Sequence, residues 1–430
     1  MIEIIKSEDA RRRREKLARV KARSVAADAE LMSVVAEIVE EVRRMGDAAL
    51  LDYTARFDGV RLAPGELRLD GAALRDSAAR VEPAVREALR ESIRNVRAFH
   101  ERERAESWEF DAGGGVRLGQ RVTAVEAAGL YVPGGTASYP SSVVMNVVPA
   151  QVAGVRRVAV CTPPRTLAET PAVAAALVEL GVEEIYQVGG AQAVAALAYG
   201  TETIPRVDVI TGPGNKYVAA AKKLVYGAVG IDSVAGPSEV VVLADETARA
   251  DFVAADLLAQ AEHGEDASAI LVTTSEALAE AVAAEVARQC ETLPRAPIIA
   301  RALEDFGAVF VVVNIDDACE LVNELAPEHL EIIARDEEAI AARVRHAGAI
   351  FFGAYSPEAV GDYIAGPNHV LPTGGAARFS SALSVSDFMR RTSVVRYTSE
   401  RLRETARMVA SLARCEGLEA HARSALVRLE

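Results

Sequence analysis

EIYQVGGAQAVAALAY, residues 184–199, joins a strand pattern to a helix pattern through two adjacent glycines. The same alternation continues on both sides of this stretch. Strands that alternate with helices of about ten residues form βαβ units, in which helices cover both faces of a parallel sheet. The sequence therefore predicts an α/β fold with two doubly wound units. The other predicted strands are 157–161, 207–210, 239–243, 269–273, 308–313 and 348–352, and the other predicted helices are 171–180, 216–226, 250–263 and 316–325.

Both ends of the chain carry mainly helical patterns. Residues 1 to about 110 include apolar positions at helical spacing from Pro83 to Glu106. A break at Gly113-Gly-Gly115 separates them from the alternating region, and a helical pattern returns from about Leu383. Arginines 11–14 begin a basic stretch that runs on to Lys21 and Arg23. We interpret this stretch as a solvated helical face rather than an interaction arm.

The bulk composition excludes several functional classes. A formal charge of −14 and a pI near 5.1 argue against nucleic acid or an anionic membrane as the main partner. No apolar run approaches the ~20 residues that span a bilayer, and no apolar segment follows the basic stretch as in a secretory signal. The four cysteines form no Cys-x-x-Cys pair, which is typical of a reducing cytoplasm and excludes a thiolate-type structural zinc site. We therefore expect a cytoplasmic protein.

Three glycine-rich segments are candidate ligand-binding turns: 129–136, 189–192 and 211–217. Backbone N–H groups between a strand and a helix can meet phosphate, although glycines also close tight turns in any α/β protein. Tyr217 stands where a third glycine would complete Gly-x-Gly-x-x-Gly, and there is no P-loop. The pattern supports ligand binding at the carboxyl ends of strands, but it does not by itself identify a dinucleotide.

Four of the six histidines lie in short motifs with carboxylates or carboxamides nearby. Imidazole and carboxylate groups together commonly bind divalent metal ions and transfer protons near neutral pH. His100 and His346 lie among charged helical residues, and we assign them to a solvated surface. The four motifs are Gln-Ala-Glu-His263, Pro-Glu-His329, Gly-Pro-Asn-His369 and Cys-Glu-Gly-Leu-Glu-Ala-His421.

Two imidazoles, a carboxylate and a carboxamide form a candidate metal site. Gln260 and His263 are three apart on one predicted helix, so both side chains share a face. Asp362 lies near the end of a short helix that the pair Ser356-Pro357 could cap and open. With His421 these donors suit Zn²⁺ or a similar divalent ion. Each of them also has an ordinary alternative as a surface or structural helix residue.

Ala326-Pro-Glu-His-Leu-Glu331 places two adjacent titratable groups in a proline-containing turn after a predicted helix. Adjacent side chains of an extended segment point to opposite sides, whereas in a turn both can reach one reactant. Glu328 could serve as a base toward water and His329 as a base toward a hydroxyl proton. The alternative is an exposed turn that bears charged side chains.

Taken together, these segments closely resemble those of histidinol dehydrogenases. The matching stretches span most of the chain in order, and strings such as Ala235-Gly-Pro-Ser-Glu239 are more specific than a lone glycine motif. The resemblance implies one Zn²⁺ per subunit and oxidation of L-histidinol through L-histidinaldehyde to L-histidine, with two NAD⁺ reduced, as the last two steps of histidine biosynthesis. The stretches are 129–135, 141–150, 212–217, 232–240, 260–264, 326–330, 361–369, 373–375 and 380–388.

The resemblance also implies roles for individual residues. His329 is expected to take the hydroxyl proton and Glu328 to activate water for hydration of the aldehyde. The residues expected to hold zinc, which grips the imidazole and amino groups of the substrate, are Gln260, His263, Asp362 and His421. The expected substrate contacts are these four with His329, Ser238, His369 and Glu416, and the expected NAD contacts are Tyr131, Gln192 and Asn215.

The architecture that the resemblance implies is an intertwined homodimer of two incomplete Rossmann-like domains. The C-terminal tail of each subunit would complete the neighbour's site, so Glu416 and His421 would act in trans. The expected division of the chain is an N-terminal arm of 1–24, a discontinuous first domain of 25–130 plus 238–380, a second domain of 131–237 and a dimerisation tail of 381–430.

Three alternatives stay open. A thiol-dependent aldehyde dehydrogenase would need a cysteine nucleophile, but Cys161 lies in an apolar strand pattern, Cys290 lies on a predicted helix, and neither has an evident activating neighbour. A dehydrogenase of the same superfamily could act on a different amino or sulfo alcohol. A non-catalytic metal-binding protein with this fold would hold zinc without turnover.

Overall fold

The computed structural model describes residues 2–23, 29–134 and 139–429, so parts of the expected arm 1–24 and of the glycine-rich segment 129–136 lie outside the described residues. The strands are β1 Ile4–Ile5, β2 Trp108–Gly113, β3 Val116–Ala124, β4 Ala127–Tyr131, β5 Arg157–Thr162, β6 Glu184–Gln187, β7 Val209–Thr211, β8 Gly230–Ile231, β9 Glu239–Ala244, β10 Ser268–Thr273, β11 Ala308–Val311, β12 His329–Ile333, β13 Ala349–Phe352 and β14 Met389–Tyr397. The α-helices are α1 Ala10–Lys21, α2 Ala29–Met45, α3 Asp47–Tyr53, α4 Gly71–Ala79, α5 Pro83–His100, α6 Pro140–Ala153, α7 Thr166–Glu169, α8 Pro171–Glu179, α9 Gly190–Tyr199, α10 Lys216–Val225, α11 Ala250–Ala261, α12 Glu276–Cys290, α13 Ala296–Phe306, α14 Ile315–Leu325, α15 Glu337–Ala341, α16 Glu358–Tyr363, α17 Ser399–Cys415 and α18 Glu419–Leu426.

A six-stranded parallel sheet has the strand order β1-β11-β10-β9-β12-β13. Every residue of β9 and β10 is buried, as expected for a parallel sheet that is covered on both faces. Helices α11, α12 and α13 pack on one face, and α1 and α14 pack on the other. The four strands predicted in this region are confirmed to within two residues. The other two strands of the sheet, β1 and β12, were not indicated by the periodicity.

A five-stranded parallel sheet has the order β6-β5-β4-β7-β8. Its two faces are covered by α2, α3, α9 and α10 on one side and by α4, α5, α6 and α8 on the other. The prediction of two α/β units with parallel sheets is therefore confirmed. The packing differs from the expected division, in which 25–130 joined 238–380. The apolar faces of α2 to α5 bury against the five-stranded sheet, which places these helices with 131–237.

A third, antiparallel sheet has the order β14-β3-β2. The three glycines 113–115, all at positive φ, form the turn of the β2–β3 hairpin, a conformation that suits glycine. The expectation of mainly helical structure from Leu383 is wrong for β14. Much of this sheet is exposed, so β14 lacks the alternation of buried and exposed residues that identifies a half-buried strand.

Helices α17 and α18 form the C-terminal end of the described chain and pack on each other through Ala410, Ala413 and Ala422. Several large apolar side chains of α17 are exposed, namely Met408, Val409 and Leu412. In residues 2–23, 29–134 and 139–429, no helix has both the length and the apolar character needed to cross a membrane.

Candidate active site

A cavity of about 810 Å³ is lined by segments of both parallel sheets. The five-stranded sheet contributes loops at the carboxyl ends of β4 and β7, as the sequence predicted. The six-stranded sheet contributes its opposite edge, because Ser238, Ala267 and Glu328 each directly precede a strand. The cavity thus lies at the carboxyl ends of the strands of one sheet, where the sequence predicts a site, and at the amino ends of the strands of the other.

Glu328 and His329 both line this cavity and are both buried. Glu328 Oε2 accepts a hydrogen bond from the backbone N–H of Glu239 at 2.9 Å. His329 Nδ1 lies 3.1 Å from the backbone carbonyl oxygen of Glu239, an acceptor, so Nδ1 carries the proton and donates. The Nε2 atom has no hydrogen-bond partner among the described residues, and Asp362 Oδ1 lies 3.7 Å away. Nε2 is therefore the ring atom available to a reactant.

The predicted turn around this pair is only partly right, because β12 begins at His329 itself. Ala326 has a φ of 49°, in the left-handed region that non-glycine residues rarely occupy, and it ends α14. The chain then passes through Pro327 into the strand. Both side chains still reach the cavity, because Glu328 lies before the strand and only His329 belongs to it.

Burial and neighbouring charges shift the acidities of the cavity groups. Burial raises the pKa of Glu328 to about 8, against the opposing effect of His329. Burial lowers the pKa of His329, but the carboxylates of Glu358, Glu328 and Asp362 outweigh it and raise the pKa well above its usual value. An imidazole with a raised pKa is a stronger proton acceptor once it is deprotonated.

A cluster of possible metal ligands adjoins the pair. One ligand atom each of His263, Glu358 and Asp362 lies within 4.8 Å of the other two. Gln260 Nε2 lies 3.4 Å from His263 Nδ1, and Gln260 Oε1 is buried with no hydrogen-bond partner in the described parts of the chain. Helix α11 ends at Ala261, so His263 follows the helix instead of lying on it as predicted. The turn nevertheless keeps the two side chains together.

Glu358 is a site residue that the sequence reasoning missed. It is the first residue of α16, and Asp362 follows it by four positions, a spacing that puts both on one helix face and could have identified it. Its backbone N–H donates to Glu331 Oε1 at 2.7 Å. The expected cap by Ser356 is not formed, because Pro357 is the N-cap residue and Glu331 provides the acceptor instead.

His421 and Glu416 lie on and just before α18, and both are exposed. Neither is among the described residues that line the cavity of the same chain. The structure of the single chain thus separates them from the other predicted site residues.

The residues expected to contact NAD lie around the carboxyl edge of the five-stranded sheet. Tyr131 ends β4, and its hydroxyl oxygen accepts from the backbone N–H of Gly190 at 3.1 Å. Gln192 is buried in α9, and its Oε1 lacks a hydrogen-bond partner in the described chain. Asn215 lines the cavity and caps α10 by accepting from the N–H groups of Tyr217 and Val218.

The turn before Asn215 requires glycine at its first position. Gly212 has a φ of 115°, and a Cβ there would lie 2.2 Å from the carbonyl oxygen of Tyr131. The Asp232 carboxylate accepts a hydrogen bond from the N–H of Gly212 at 2.8 Å, and Lys222 Nζ donates to the carbonyl oxygen of Gly212 at 3.1 Å. This glycine is thus explained by close packing of the main chain.

The expected substrate-contact residues Ser238 and His369 also line the cavity. Burial lowers the pKa of His369, and its Nε2 has no hydrogen-bond partner within the described ranges. Asn368, beside it, donates to the carbonyl oxygen of Met145 at 2.7 Å and lies 3.2 Å from His100 Nε2. The surface assignment of His100 is therefore wrong, because this residue is fully buried and supports the loop that carries His369.

The cysteines do not provide a nucleophile for this cavity. Cys161 is fully buried in β5, and burial raises the pKa of its thiol far above the usual value. Burial also raises the pKa of Cys319. Of the described residues that line the cavity, none is a cysteine. Since the thiolate is the reactive form, the geometry counts against the thiol-dependent alternative.

The chain is similar over nearly its whole length to proteins of one family. The histidinol dehydrogenase family model matches residues 21–429. The histidinol dehydrogenase of Geobacillus kaustophilus is 57% identical over 397 residues, which cover 92% of this chain and 93% of that protein. That of Bacillus subtilis is 52% identical over 396 residues, with 92% of each chain covered. The crystal structure of histidinol dehydrogenase from Elizabethkingia anophelis matches with a TM-score of 0.92 at 34% identity, covering 100% of this chain and 98% of that one. The chain therefore belongs to the histidinol dehydrogenase family.

Proposed function

We propose that the protein catalyses the zinc-dependent four-electron oxidation of L-histidinol to L-histidine through L-histidinaldehyde, with reduction of two NAD⁺. The observation that carries the proposal is the convergence of a buried Glu–His pair and a cluster of metal-type donors on one cavity. The reaction consumes one water and releases three protons, so it needs groups that accept protons from a hydroxyl and from water. Glu328 and His329 are such groups.

The donor set fits a divalent metal. A buried carboxamide oxygen without a partner is unfavourable unless a ligand satisfies it, and Gln260 Oε1 has no hydrogen-bond partner among the residues that the structure describes. We propose that Gln260, His263 and Asp362 hold Zn²⁺ together with the partner subunit's His421. The ion would supply positive charge that binds the imidazole and amino nitrogens of the substrate. Ser238, His369 and the partner subunit's Glu416 would complete the substrate contacts.

The proton-handling roles follow from the hydrogen bonds of the pair. His329 donates through Nδ1 to Glu239, which leaves Nε2 to take the substrate's hydroxyl proton in the first oxidation. Glu328 has a raised pKa, so its carboxylate is a stronger base toward water than an ordinary glutamate. It would activate the water that hydrates the aldehyde. His329 would then accept the hydroxyl proton of the hydrate in the second oxidation.

The dinucleotide would bind where the five-stranded sheet meets the cavity. Tyr131, Gln192 and Asn215 lie near the carboxyl ends of its strands or in the turns that follow, the usual position of a dinucleotide in doubly wound folds. Gln192 Oε1, which has no hydrogen-bond partner in the described part of the chain, offers an acceptor to such a ligand. NAD⁺ would accept one hydride in each oxidation.

The site would be complete only in a homodimer whose C-terminal tail, 381–430, reaches the neighbouring subunit. The exposed apolar side chains of Met408, Val409 and Leu412 on α17 support this proposal, because exposed apolar surface is costly in water and often marks an interface. We place the enzyme in the cytoplasm, since its four cysteines are free thiols.

The experiment that tests the proposal supplies L-histidinol and NAD⁺ to the purified protein and measures NADH formed per substrate. We expect about two NADH per histidinol, loss of turnover on chelation and its return with Zn²⁺. Absence of turnover by folded, zinc-loaded protein would overturn the proposal. A single NADH per histidinol would limit the activity to the alcohol oxidation, and turnover that chelation leaves unchanged would remove zinc from it.

A further inference from the structure

The main chain of one residue, Glu239, holds both proposed catalytic side chains. Its N–H group donates to Glu328 Oε2, and its carbonyl oxygen accepts from His329 Nδ1. Glu239 is the first residue of β9 and follows Ser238, which lines the cavity. These two groups belong to the peptide units on either side of the Glu239 Cα, so a shift of this residue's main chain would change the position of the acid and the imidazole together.

The side chain of Glu239 is fixed in turn by a buried ion pair. Glu239 Oε1 accepts from the guanidinium of Arg23, and Glu239 Oε2 accepts from the N–H of Gly374 at 3.3 Å. The side chains of Arg23 and Glu239 are only 5% and 10% exposed. A buried carboxylate with its cation removed is strongly unfavourable, so the two residues depend on each other.

Arg23 is held at every nitrogen of its guanidinium. Nε donates to the carbonyl oxygen of Val20 at 2.9 Å, one terminal nitrogen donates to that of Asp266 at 2.6 Å, and the other pairs with Glu239. The group also lies 5.2 Å from the ring centre of Phe306. Arg19 of the same basic stretch is 58% exposed. The interpretation of this stretch as a solvated face is therefore wrong for Arg23.

We propose that Arg23 and Glu239 are positioning residues, whose ion pair anchors the main chain of Glu239 and thereby orients Glu328 and His329. The N-terminal segment would thereby support a site on a sheet edge far from it in sequence. This inference rests on the proposed function, because it assigns Glu328 and His329 their catalytic roles.

The charges around Glu328 provide a readout that a purely structural role would not move. The titratable and charged groups that act on its carboxyl are His329 of β12, Glu358 of α16, Glu239 of β9 and Arg23. The Arg23 cation favours the Glu328 carboxylate, so its loss should raise the pKa of Glu328. The Glu239 carboxylate disfavours it, so the change to glutamine should lower that pKa.

The test compares Arg23→Met, Arg23→Lys and Glu239→Gln with wild type, using L-histidinaldehyde and NAD⁺ so that only the second oxidation is measured. Arg19→Met is the matched control, since it removes an exposed arginine of the same stretch. We expect kcat of Arg23→Met to fall about tenfold to a hundredfold, as when a group that orients a site residue is lost. Arg23→Lys should recover part of the loss, and Arg19→Met should match wild type.

The pH dependence of kcat decides the outcome. The pH of half-maximal rate should move up in Arg23→Met and down in Glu239→Gln, with zinc content and melting temperature showing folded protein. Shifts in the same direction, or none, would overturn the inference while wild-type turnover keeps the proposed function intact. A wild type without turnover would instead sink the proposed function. If Arg23→Met does not fold, Arg23→Gln, which also removes the cation but keeps hydrogen-bonding groups, takes its place, and its upward shift against the downward shift of Glu239→Gln decides the question in the same way.

Discussion

The polar groups in and beside the cavity fall into two classes, those with a hydrogen-bond partner in the described chain and those without one. Glu328 and the Nδ1 atom of His329 have fixed main-chain partners, as groups that must stay oriented during proton transfer require. Gln260 Oε1 lacks any partner among the described residues, as an atom reserved for a ligand would. This difference agrees with the proposed roles, proton transfer for Glu328 and His329 and metal binding for Gln260.

The two bases should fail differently when each is replaced. Glu328→Gln keeps the side chain's size but removes the base toward water, so aldehyde oxidation should fall roughly a hundredfold to ten-thousandfold while alcohol oxidation changes little. His329→Ala should slow both oxidations. Separate assays with L-histidinol and L-histidinaldehyde measure this division, and an equal loss in both for Glu328→Gln would contradict it.

The pH dependence of aldehyde oxidation should reflect the buried acid. Burial raises the pKa of Glu328 to about 8, and the carboxylate is the active form of the base. Below that value the rate should rise at least tenfold per pH unit, because the proposed second oxidation needs both Glu328 and His329 deprotonated, and the pKa of His329 is raised as well. The measurement is kcat against pH, with Glu328→Gln as the control that should lose the part of the rise that comes from Glu328. A plateau already reached near pH 5 would show that the group titrates normally.

Motif spacing predicted much of the candidate site, because the side chains that do the chemistry are of few types. Glu328, His329, His263 and Asp362 converge as expected. Such reasoning could not identify Glu239 as a support for Glu328 and His329, because Glu239 acts through main-chain atoms that nearly every residue carries. His100 was misassigned because its helix reads as charged, although the residue itself is buried.

Among the elements, the central strands show where sequence patterns fail. The sequence predicts a glycine-rich turn at 129–136, but the first residues of this segment belong to strand β4, which lies in the middle of the five-stranded sheet. Gly129 lies within this strand. Glycine suits the position because a Cβ there would lie only 3.0 Å from methyl groups of Leu197 and Val207. Strand β12 was missed because buried His329 and Glu331 interrupt its apolar pattern. Tertiary contacts, which the local pattern does not contain, decide both cases.

This close packing predicts a stability effect at Gly129. Gly129→Ala should lower the free energy of unfolding by about 1–3 kcal/mol, because the added methyl overpacks the interior. Gly65→Ala is the matched control, since a Cβ at that position has no neighbour within 4 Å among the described atoms. Denaturant titrations of both variants measure the difference. Equal stability of the two would mean that the surrounding side chains give way without cost.

At the scale of the whole molecule, the sequence predicts the two parallel α/β units but does not predict which helices and strands belong to which unit. The six-stranded sheet takes β1 from the N-terminus, whereas α2 to α5, which follow in sequence, cover the five-stranded sheet. Periodicity marks which face of a helix is buried but does not say which sheet buries it. The C-terminal tail is a second case, because α17 carries apolar residues that the described residues of this chain do not cover.

The proposed sharing of sites between subunits predicts that two inactive variants restore each other. In a mixed dimer of His329→Ala and His421→Ala, one site would combine a wild-type cavity with a wild-type tail, and the other site would carry both defects. Random exchange after unfolding and refolding together should give about a quarter of wild-type activity, since half the dimers are mixed and each has one intact site. The measurement is NADH formation before and after exchange, and each variant refolded alone serves as the control. If the tail completed the site of its own chain, both sites of a mixed dimer would be defective and mixing would restore nothing.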